Sequence, residues 1–399
     1  MYSCYNAKDI FDNGVHTMQI DKNYIAERYH ELHQVPEIGF ELPKSLAIIR
    51  RELDAMGVTY TEEIGKSCII ATLNEGIGNK VIALRADFDA LPITEETGLP
   101  YSSTHPGKMH ACGHDAHAAM LLGTIKALKA MEKDIQCCVK FIFQSAEEIL
   151  GGAKSICDDG FMDQVDVILG CHIAPTQPAG TIRLCQGCSN ASSRGFKIRL
   201  HGKSCHGAAP QNGVDAIAMA VNVYNNIQLM RTRQISPLKP ILIGVGEIHG
   251  GTANNIVAGD CELNCTLRTL DNETDQFAYS RIEKIAKHTA EDMGGTAEVE
   301  TYKYSPCLMN DSVVAADLAI SAAKVVGKDA VDANKPVEMG AEDFAYYTLH
   351  KPGVMFSLGV RPESGVSIPV HNGKMTLNED AFDIGPKVFI QYILDNMEK

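Results

Sequence analysis

The chain has 399 residues, 45% of them hydrophobic, and a formal net charge of −14. A single hydrophobic core stops growing near about 250 to 300 residues, so this length predicts two domains. The acidic balance, with no Lys/Arg-rich run, disfavours nucleic acid and anionic membrane surfaces as partners.

The first residues, Met1 to Lys22, contain several charges and no apolar stretch, so we expect neither a secretory signal nor a membrane anchor there. No later run approaches the ~18 apolar residues of a membrane helix. Thirteen cysteines, an odd number, are scattered along the chain, which favours reduced thiols and a cytosolic protein. Cys185 and Cys188 have a C-x-x-C spacing without a second pair, and we interpret them as hinge residues.

Helical spacing in Tyr24 to His33 and Lys44 to Met56 is followed by short apolar runs typical of buried strands. These runs are Cys68 to Leu73, Val81 to Leu84, Cys138 to Phe143 and Val165 to Leu169. Ala116 to Met131 is predicted as a helix, with Asp115 as its N-cap. The pattern indicates an α/β fold, with helices on both faces of a mostly parallel sheet.

From about Gly195 the pattern changes to β-α-β-β-α-β, the ferredoxin-like order. Its members are Phe196 to Leu200, Val214 to Arg231, Ile241 to Ile248, Asp260 to Leu270, Gln276 to Met293 and Ala297 to Tyr302. The α/β pattern then resumes with a helix at Ala315 to Val326 and a strand at Val354 to Leu358. We therefore expect a small domain, residues 190–303, inserted into a larger one formed by residues 1–189 and 304–399.

The segment Met109 to His117 places a thiol, three imidazoles and a carboxylate in one short stretch. Cys112 and His114 are separated by one glycine, which lets the backbone bend so that both side chains reach a common divalent ion. The alternative is a surface loop that happens to contain histidines. His117 is expected to support the site or pack on the helix, not to bind metal.

Further metal-binding side chains follow predicted strands, where open α/β sheets build their sites. Glu147 and Glu148 come after one strand, and adjacent residues of an extended chain point in opposite directions. One carboxylate can then bind metal while the other handles a water molecule. Taken alone, an acidic pair after a strand is more often a solvated loop.

Two more histidines, His172 and His371, come after β-like stretches. A lone histidine at a strand end is more often structural, but the set gives five candidate ligands: Cys112, His114, Glu148, His172 and His371. Five ligands suit two ions with one bridging group, either a thiolate or a hydroxide. Asp87 ends another predicted strand and could orient a ligand histidine.

Five segments, in order along nearly the whole chain, resemble the M20 metallopeptidase family, and within it the amidohydrolase branch of aminoacylases, hippurate hydrolases and auxin-conjugate hydrolases. The segments are Arg85 to Ile93, Met109 to His117, Gln144 to Ala153, Gly202 to Pro210 and Met339 to Phe344. The resemblance implies a zinc-exopeptidase-like α/β catalytic domain with an inserted ferredoxin-like α+β domain that serves as a lid and dimerisation module.

The resemblance also implies roles at the metal centre. Cys112 would bridge two divalent ions, with Glu148 and His371 completing one site and His114 and His172 the other. Glu147 would be the general base, and Asp87 the supporting aspartate. Arg85 stands where the wider family has a ligand histidine, as is usual in this branch. The ions would be Zn²⁺ or Mn²⁺, with Co²⁺ or Ni²⁺ as alternatives.

In the inserted domain, the resemblance implies that His206 steadies the oxyanion of the tetrahedral intermediate, often from the partner subunit. Asn255 and Arg268 would hold the free carboxylate of the substrate. Without the family, a surface charge at a strand end would be the better interpretation of Arg268. Glu342 and Asp343 are expected to support the site indirectly.

The resulting hypothesis is a cytosolic, homodimeric, two-metal amidohydrolase. It would cleave the amide of N-acyl-L-amino acids, with acetyl or aryl-acyl groups, by means of a metal-activated water. One alternative is a metallo-carboxypeptidase or dipeptidase, which shares the same metals and the same carboxylate-binding residues. Another is a catalytically silent homologue that acts as a binding protein, although the complete ligand set and Glu147 argue against it.

Overall fold

The computed structural model describes residues 19–398. The prediction about Met1 to Lys22 therefore falls largely on residues outside the described part. Within residues 19–398, no helix has both the length and the apolar character that crossing a bilayer requires.

The described residues form nine α-helices and sixteen strands, joined by short 3₁₀ turns. The helices are α1 (Lys22–His33), α2 (Pro43–Met56), α3 (His114–Ala130), α4 (Gly152–Asp158), α5 (Ala216–Arg233), α6 (Asn272–Asp292), α7 (Ser312–Val326), α8 (Ala345–His350) and α9 (Ile384–Asn396). The strands are β1 (Thr59–Thr61), β2 (Ile69–Leu73), β3 (Val81–Asp87), β4 (Cys138–Gln144), β5 (Val167–Ala174), β6 (Ile182–Arg183), β7 (Gly187–Asn190), β8 (Ser193–His201), β9 (Cys205–His206), β10 (Ile241–Gly250), β11 (Ile256–Val257), β12 (Asp260–Thr269), β13 (Thr296–Ser305), β14 (Leu308–Asn310), β15 (Val331–Asp332) and β16 (Gly353–Gly359).

The larger sheet has eight strands in the order β1-β2-β4-β3-β5-β16-β6-β15. Its four central strands, β4, β3, β5 and β16, are mutually parallel, as predicted. The predicted strand at Cys68 to Leu73 becomes β2 and runs antiparallel to β4. The chain between β2 and β3 contains no helix. A β2 strand parallel to the central strands would need a crossover connection, usually a helix, before β3, so β2 runs in the opposite direction.

Helices cover both faces of this sheet, which confirms the predicted α/β layout. Alternate residues of β2 point to opposite faces: Ile69 joins the core beneath α1, α2, α3, α7 and α9, while Ile70 joins the smaller core beneath α4 and α8. This alternation follows from the two-residue period of a strand. Both faces are therefore packed, and the open edge available for a site is the carboxyl end of the parallel strands.

The second sheet has four antiparallel strands in the order β10-β12-β8-β13 and packs against α5 and α6. The chain order β8-α5-β10-β12-α6-β13 is the predicted ferredoxin-like order. Its apolar core, which includes Phe196, Leu263 and Ile282, is separate from the core of the larger sheet. We call this unit the lid and the remainder the main body; the boundaries at residues 190 and 304 stay predictions.

The N-cap prediction for the central helix was wrong. Helix α3 begins at His114, and Gly113 occupies the N-cap position with φ 86°. Asp115 lies inside the first turn, where its carboxylate pairs with His33 Nδ1 at 2.6 Å. A side chain at residue 113 would collide with Ile173, so glycine alone permits this sharp entry into the helix.

Candidate metal centre

The turn Cys112-Gly113-His114 carries the first two candidate ligands to the carboxyl end of the parallel strands. His172 projects beside them from within β5, because that strand continues to Ala174 and does not stop at Leu169 as predicted. The Sγ of Cys112 lies 3.5 Å from Nε2 of His172. One ligand atom each from Cys112, His114 and His172 lies within 4.8 Å of the others, a separation that a single ion can span.

Hydrogen bonds orient both imidazoles of this group. Nδ1 of His114 donates to the carbonyl of Asp89 at 3.0 Å, and Nδ1 of His172 donates to the carbonyl of Ile173 at 2.7 Å. A carbonyl oxygen can only accept, so the proton of each neutral ring lies on Nδ1. Nε2 of each ring therefore keeps a free lone pair, and that of His172 faces the Cys112 thiol.

A second group shares the same thiol. Cys112, Glu148 and His371 each offer one ligand atom within 4.8 Å of the others, and Glu148 Oε1 lies 3.6 Å from His371 Nε2. His371 follows no strand, contrary to the sequence interpretation, since β16 ends at Gly359 and an irregular segment follows. Its backbone has φ 64° and its N–H donates to the carbonyl of Ala111 at 2.7 Å. Such a conformation is uncommon outside glycine and aims the ring at Glu148.

The side chains in these two groups fit a pair of divalent ions. Nε2 of His114 and Oε1 of Glu148 are buried without a hydrogen-bond partner among the described residues. Burial also raises the pKa of the Cys112 thiol, so the thiolate needs a cation beside it. Two cations, one in each group, would satisfy both atoms and stabilise the thiolate.

The Glu147-Glu148 pair lies in a turn, not in the extended chain that the sequence suggested. Ala146 and Leu150, on either side, have φ of 55° and 58°. Asp89, a residue the sequence analysis did not single out, holds this turn: its carboxylate accepts from Glu147 N at 3.0 Å and from Glu148 N at 3.2 Å. Because its carbonyl also binds His114, Asp89 joins the two halves of the site.

Glu147 lies in a buried, negatively charged environment. Burial raises its pKa well above the ordinary value, and the carboxylates of Glu342 and Asp343 raise it further. Ligand atoms of these three residues lie within 4.8 Å of one another. A carboxyl group that holds its proton more strongly is a better proton acceptor.

Arg85 provides the compensating charge and is fully buried. Its guanidinium lies 2.8 Å from Asp87, 2.9 Å from Asp343 and 3.1 Å from Glu342. It also donates to Gln144, the last residue of β4, at 2.8 Å. Arg85 thus anchors the Glu342-Asp343 loop behind Glu147, which is the indirect support expected of those two acids.

Asp87, the last residue of β3, lies behind the histidines. Its Oδ1 accepts from His117 Nδ1 at 2.5 Å, and its Oδ2 is 3.6 Å from His114 Nε2. Nε2 of His117 accepts the N–H of Ile173 at 2.9 Å. Asp87, His114 and His117 also form a close group, but the protein already uses both ring nitrogens of His117. This arrangement leaves His117 no lone pair for a metal.

The three lid residues singled out in the sequence lie apart from the ligands. His206 and Asn255 are exposed, and neither belongs to a close ligand group within residues 19–398. Nδ1 of His206 accepts from Ala208 N at 3.1 Å, so its proton lies on Nε2, which can donate. Arg268 donates to the carbonyl of Met339 at 2.9 Å, in the loop that leads to Glu342.

A lid residue that the sequence analysis missed does reach the ligands. Lys303, on β13, donates from Nζ to the backbone carbonyl of Glu148 at 3.2 Å. The pKa of His371 is lowered first by burial, and the charge of Lys303 acts in the same direction. The sequence carries no signal for this contact, because a single lysine in an alternating strand reads as an exposed side chain.

Comparison with known proteins identifies a family for this chain. The sequence model of the family described as "Peptidase family M20/M25/M40" matches residues 83–395 of this chain. The chain belongs to this family. The family resemblance seen in the sequence motifs is therefore confirmed.

Several relatives align over most of the chain. A thermostable carboxypeptidase 1 of Saccharolobus solfataricus is 34% identical over 91% of this chain and 93% of its own length. An N-acyl-L-amino acid amidohydrolase of Geobacillus stearothermophilus is 37% identical over 73% of this chain and 80% of its own. A crystal structure of a dinuclear metal-binding M20 peptidase of Bacillus subtilis superposes with a TM-score of 0.81 at 29% identity, covering 95% of this chain and 98% of that one.

Proposed function

We propose that this M20 protein is a metal-dependent amidohydrolase that cleaves the amide bond of N-acyl-L-amino acids with acetyl or aryl-acyl groups. The observation that carries the proposal is the pair of ligand groups that share Cys112, with Glu147 beside them. The similarity to an N-acyl-L-amino acid amidohydrolase supports the choice of substrate class.

In this proposal one ion would be held by Cys112, His114 and His172, and a second by Cys112, Glu148 and His371. Ions held there would supply Lewis acidity, which polarises a carbonyl group and makes water easier to deprotonate. The mixed thiolate, imidazole and carboxylate ligands suit Zn²⁺ or Mn²⁺, and also accept Co²⁺ or Ni²⁺ according to availability.

Glu147 is the proposed general base. It lies within 4.8 Å of ligand atoms of His114 and Glu148, close enough to take a proton from a water held there. Its protonated form then delivers the proton to the leaving amine. Asp89 and Arg85 hold Glu147 in place through the turn and through the acidic loop behind it.

The lid is proposed to bind the substrate. Nε2 of His206 would donate to the oxyanion, and Asn255 and Arg268 would hold the free α-carboxylate. Arg268 supports this role because one of its nitrogens already binds the Met339 carbonyl, which fixes the guanidinium plane near the acidic loop. His206 is exposed in a single chain, which fits a role that a second subunit completes.

Adjacent carboxylates offer a matched experiment. The Glu147→Gln variant should lose turnover of N-acetyl amino acids, by about 10² to 10⁴-fold, yet keep its metal content. The Glu148→Gln variant, one residue away, should lose metal as well, because Glu148 is a proposed ligand. Metal analysis of both variants, followed by a turnover assay, tests the assignment. A Glu147→Gln variant that retains activity would overturn the proposed mechanism.

The carboxypeptidase alternative remains a second candidate, since a carboxypeptidase is 34% identical over most of the chain. Both reactions need the same metal ligands and the same base. A panel of N-acetyl and N-benzoyl amino acids assayed beside dipeptides and longer peptides separates them. Bound metal with hydrolysis of none of these would instead favour a silent binding protein.

We further propose a homodimer formed through the lid and a cytosolic location. Strand β10 is an edge strand, and apolar side chains are exposed on it and on α5, among them Leu242, Ile248, Val221 and Tyr224. The twelve cysteines among the described residues are all free, as in a reducing compartment.

Sedimentation tests the dimer. Val221→Glu should shift the protein toward the monomer, because it places a charge in the proposed apolar contact. The matched control is Ile320→Glu, at a similarly exposed aliphatic position on α7 of the main body. This variant should sediment like the wild-type protein. If the wild-type protein sediments as a monomer, the dimer proposal fails.

A further inference from the structure

The acidic loop, which we define as residues 338–343, lies along the strand that leads into the lid. The N–H of Glu338 donates to the carbonyl of Ser189 at 2.9 Å, and the carbonyl of Glu338 accepts from the N–H of Ala191 at 2.9 Å. These two bonds form a parallel bridge at the end of β7. The loop is therefore paired with the backbone at the point where the chain leaves the main body.

Two side chains bind the next residues of the loop. The amide of Asn190 donates to the carbonyl of Gly340 at 3.3 Å, and Arg268, on lid strand β12, donates to the carbonyl of Met339 at 2.9 Å. Both acceptors are backbone carbonyls, so neither contact depends on a side chain of the loop. Together they hold the loop backbone against the lid and against the strand that enters it.

Ser305, the last residue of lid strand β13, contacts the other end of the loop. Its side chain is fully buried, and its Oγ lies 3.1 Å from the carbonyl oxygen of Glu342 and 3.3 Å from that of Pro306. A hydroxyl has one proton, which these two carbonyls share, and Glu342 is the nearer acceptor. The carbonyl of Glu342 also accepts from the N–H of Ala345 at 3.2 Å. The Ser305 hydroxyl thus attaches Glu342 to the lid.

The carboxylate of Glu342 lies beside Glu147. Carboxylate oxygens of Glu147, Glu342 and Asp343 lie within 4.8 Å of one another. Oε1 of Glu342 is held by Arg85 at 3.1 Å and accepts from the N–H of Phe344 at 3.0 Å. Charges this close interact strongly in a buried site, because water and salt screen them weakly. A displacement of Glu342 would therefore change the electrostatic environment of Glu147.

We propose that Ser305 and Asn190 are positioning residues for Glu147, which act by attaching the acidic loop to the lid and to its entry strand. Neither residue belongs to a close ligand group within residues 19–398, so each acts through the loop. The electrostatic environment of Glu147 then depends on contacts made by the lid as well as by the main body. The proposal rests on the proposed function for the role of Glu147, whereas the attachment of the loop does not.

Hydrogen exchange of the full-length, metal-loaded protein tests the attachment. Ser305→Ala should speed exchange of the amides of residues 338–345 by about 2 to 10-fold, the effect of one lost neutral hydrogen bond. Asn190→Ala should have an effect of the same size. Asn190 is partly exposed, so its replacement leaves the core intact even if the buried Ser305 variant folds poorly. Unchanged exchange in either folded variant would overturn the role of that residue.

Two matched controls remove the same groups elsewhere. Ser321→Ala deletes a buried hydroxyl that donates to Asp395 at 2.7 Å, and Asn226→Ala deletes an amide that donates to Thr289 at 3.3 Å. Neither control should change exchange of the acidic loop. Equal acceleration in a control and in its partner variant would mean that general destabilisation, not loss of the attachment, loosens the loop, and the proposal would fail.

Turnover and metal content test whether the attachment acts through Glu342. Ser305→Ala should lower kcat for an N-acetyl amino acid by about 10-fold, with KM within about twofold of wild type and metal content unchanged. In a Glu342→Gln background the same change should lower kcat by less than about twofold, because residues that act through one group are not additive. A 10-fold loss in both backgrounds would show that Ser305 acts independently and would refute the proposal. If the wild-type protein turns over no acyl amino acid, the proposed function and the role of Glu147 fail together, and the exchange experiment still decides the attachment.

Discussion

Asp89 is the most informative residue to change, because one carboxylate holds the Glu147-Glu148 turn. In Asp89→Asn the side-chain oxygen can still accept one backbone N–H, but the new amide nitrogen faces the other. The variant therefore loses one charge-assisted hydrogen bond and weakens the second. Hydrogen bonds to charged groups contribute about 1.5 to 3 kcal/mol each, so we expect a loss of about 2 to 4 kcal/mol in the free energy of unfolding.

The loss of activity in Asp89→Asn should exceed the loss that reduced stability alone would produce. Outer-shell partners of metal ligands typically account for about 10 to 100-fold in affinity or activity, and Asp89 supports both a ligand and the base. Urea unfolding, metal content and kcat/KM for an N-acetyl amino acid, all measured at 20 °C, separate these effects. Asp89→Asn with kcat/KM within twofold of wild type, at full metal content, would refute the reasoning.

Three further predictions concern the lid contact at Lys303, the metals and the buried His33. Lys303→Met should weaken the contact between the lid and the Glu148 carbonyl, and it should raise KM more than it lowers kcat. Lys303→Arg should keep KM near the wild-type value, because arginine can still donate to the carbonyl. Equal effects of the two substitutions would contradict a hydrogen-bonding role. Chelation of the metals should lower the melting temperature, since ligands at about 1,000 times Kd stabilise by about 4 kcal/mol, and adding metal back should restore it. Burial lowers the pKa of His33, but the carboxylates of Asp115 and Glu95, 2.6 Å and 3.3 Å from its two ring nitrogens, raise it to about 10. These two ion pairs therefore stabilise the fold fully below pH 6.5, the ordinary pKa of histidine, and lose their effect as pH rises toward 10. His33→Gln should then destabilise the protein most near pH 6, by about 3 kcal/mol, and less at pH 9.5; a penalty in urea unfolding that does not vary with pH would contradict this sign.

Much of the architecture could be predicted from the sequence because its signals are local. The apolar runs at β3 and β4, the helical spacing of α1 and α2 and the strand and helix order of the lid appear as expected. Strand direction at β2 could not be predicted, because an apolar run is the same in a parallel and an antiparallel sheet. The start of α3 was misjudged because Gly113 can adopt a positive φ, which makes a capping carboxylate at residue 115 unnecessary.

The candidate ligands were found by residue type, but their supporting residues were not. Cys, His and Glu near strand ends are recognisable in a sequence, and the structure brings all five together. Asp89 acts through contacts with backbone groups 58 and 59 residues away, and Lys303 crosses from the lid. Neither contact produces a recognisable sequence pattern, because each joins residues that only the tertiary fold brings together.

The lid is inserted between the ligands in chain order, and this sets an order of assembly during synthesis. Cys112, His114 and His172 all leave the ribosome before the first lid strand, so one complete ligand group exists while the lid is still being made. His371 emerges only after the whole lid, followed by α9, which packs on α3. Under the proposed ligand assignment, a nascent chain would complete the residues for one ion early, whereas those for the second would be complete only when His371 emerges, late in translation.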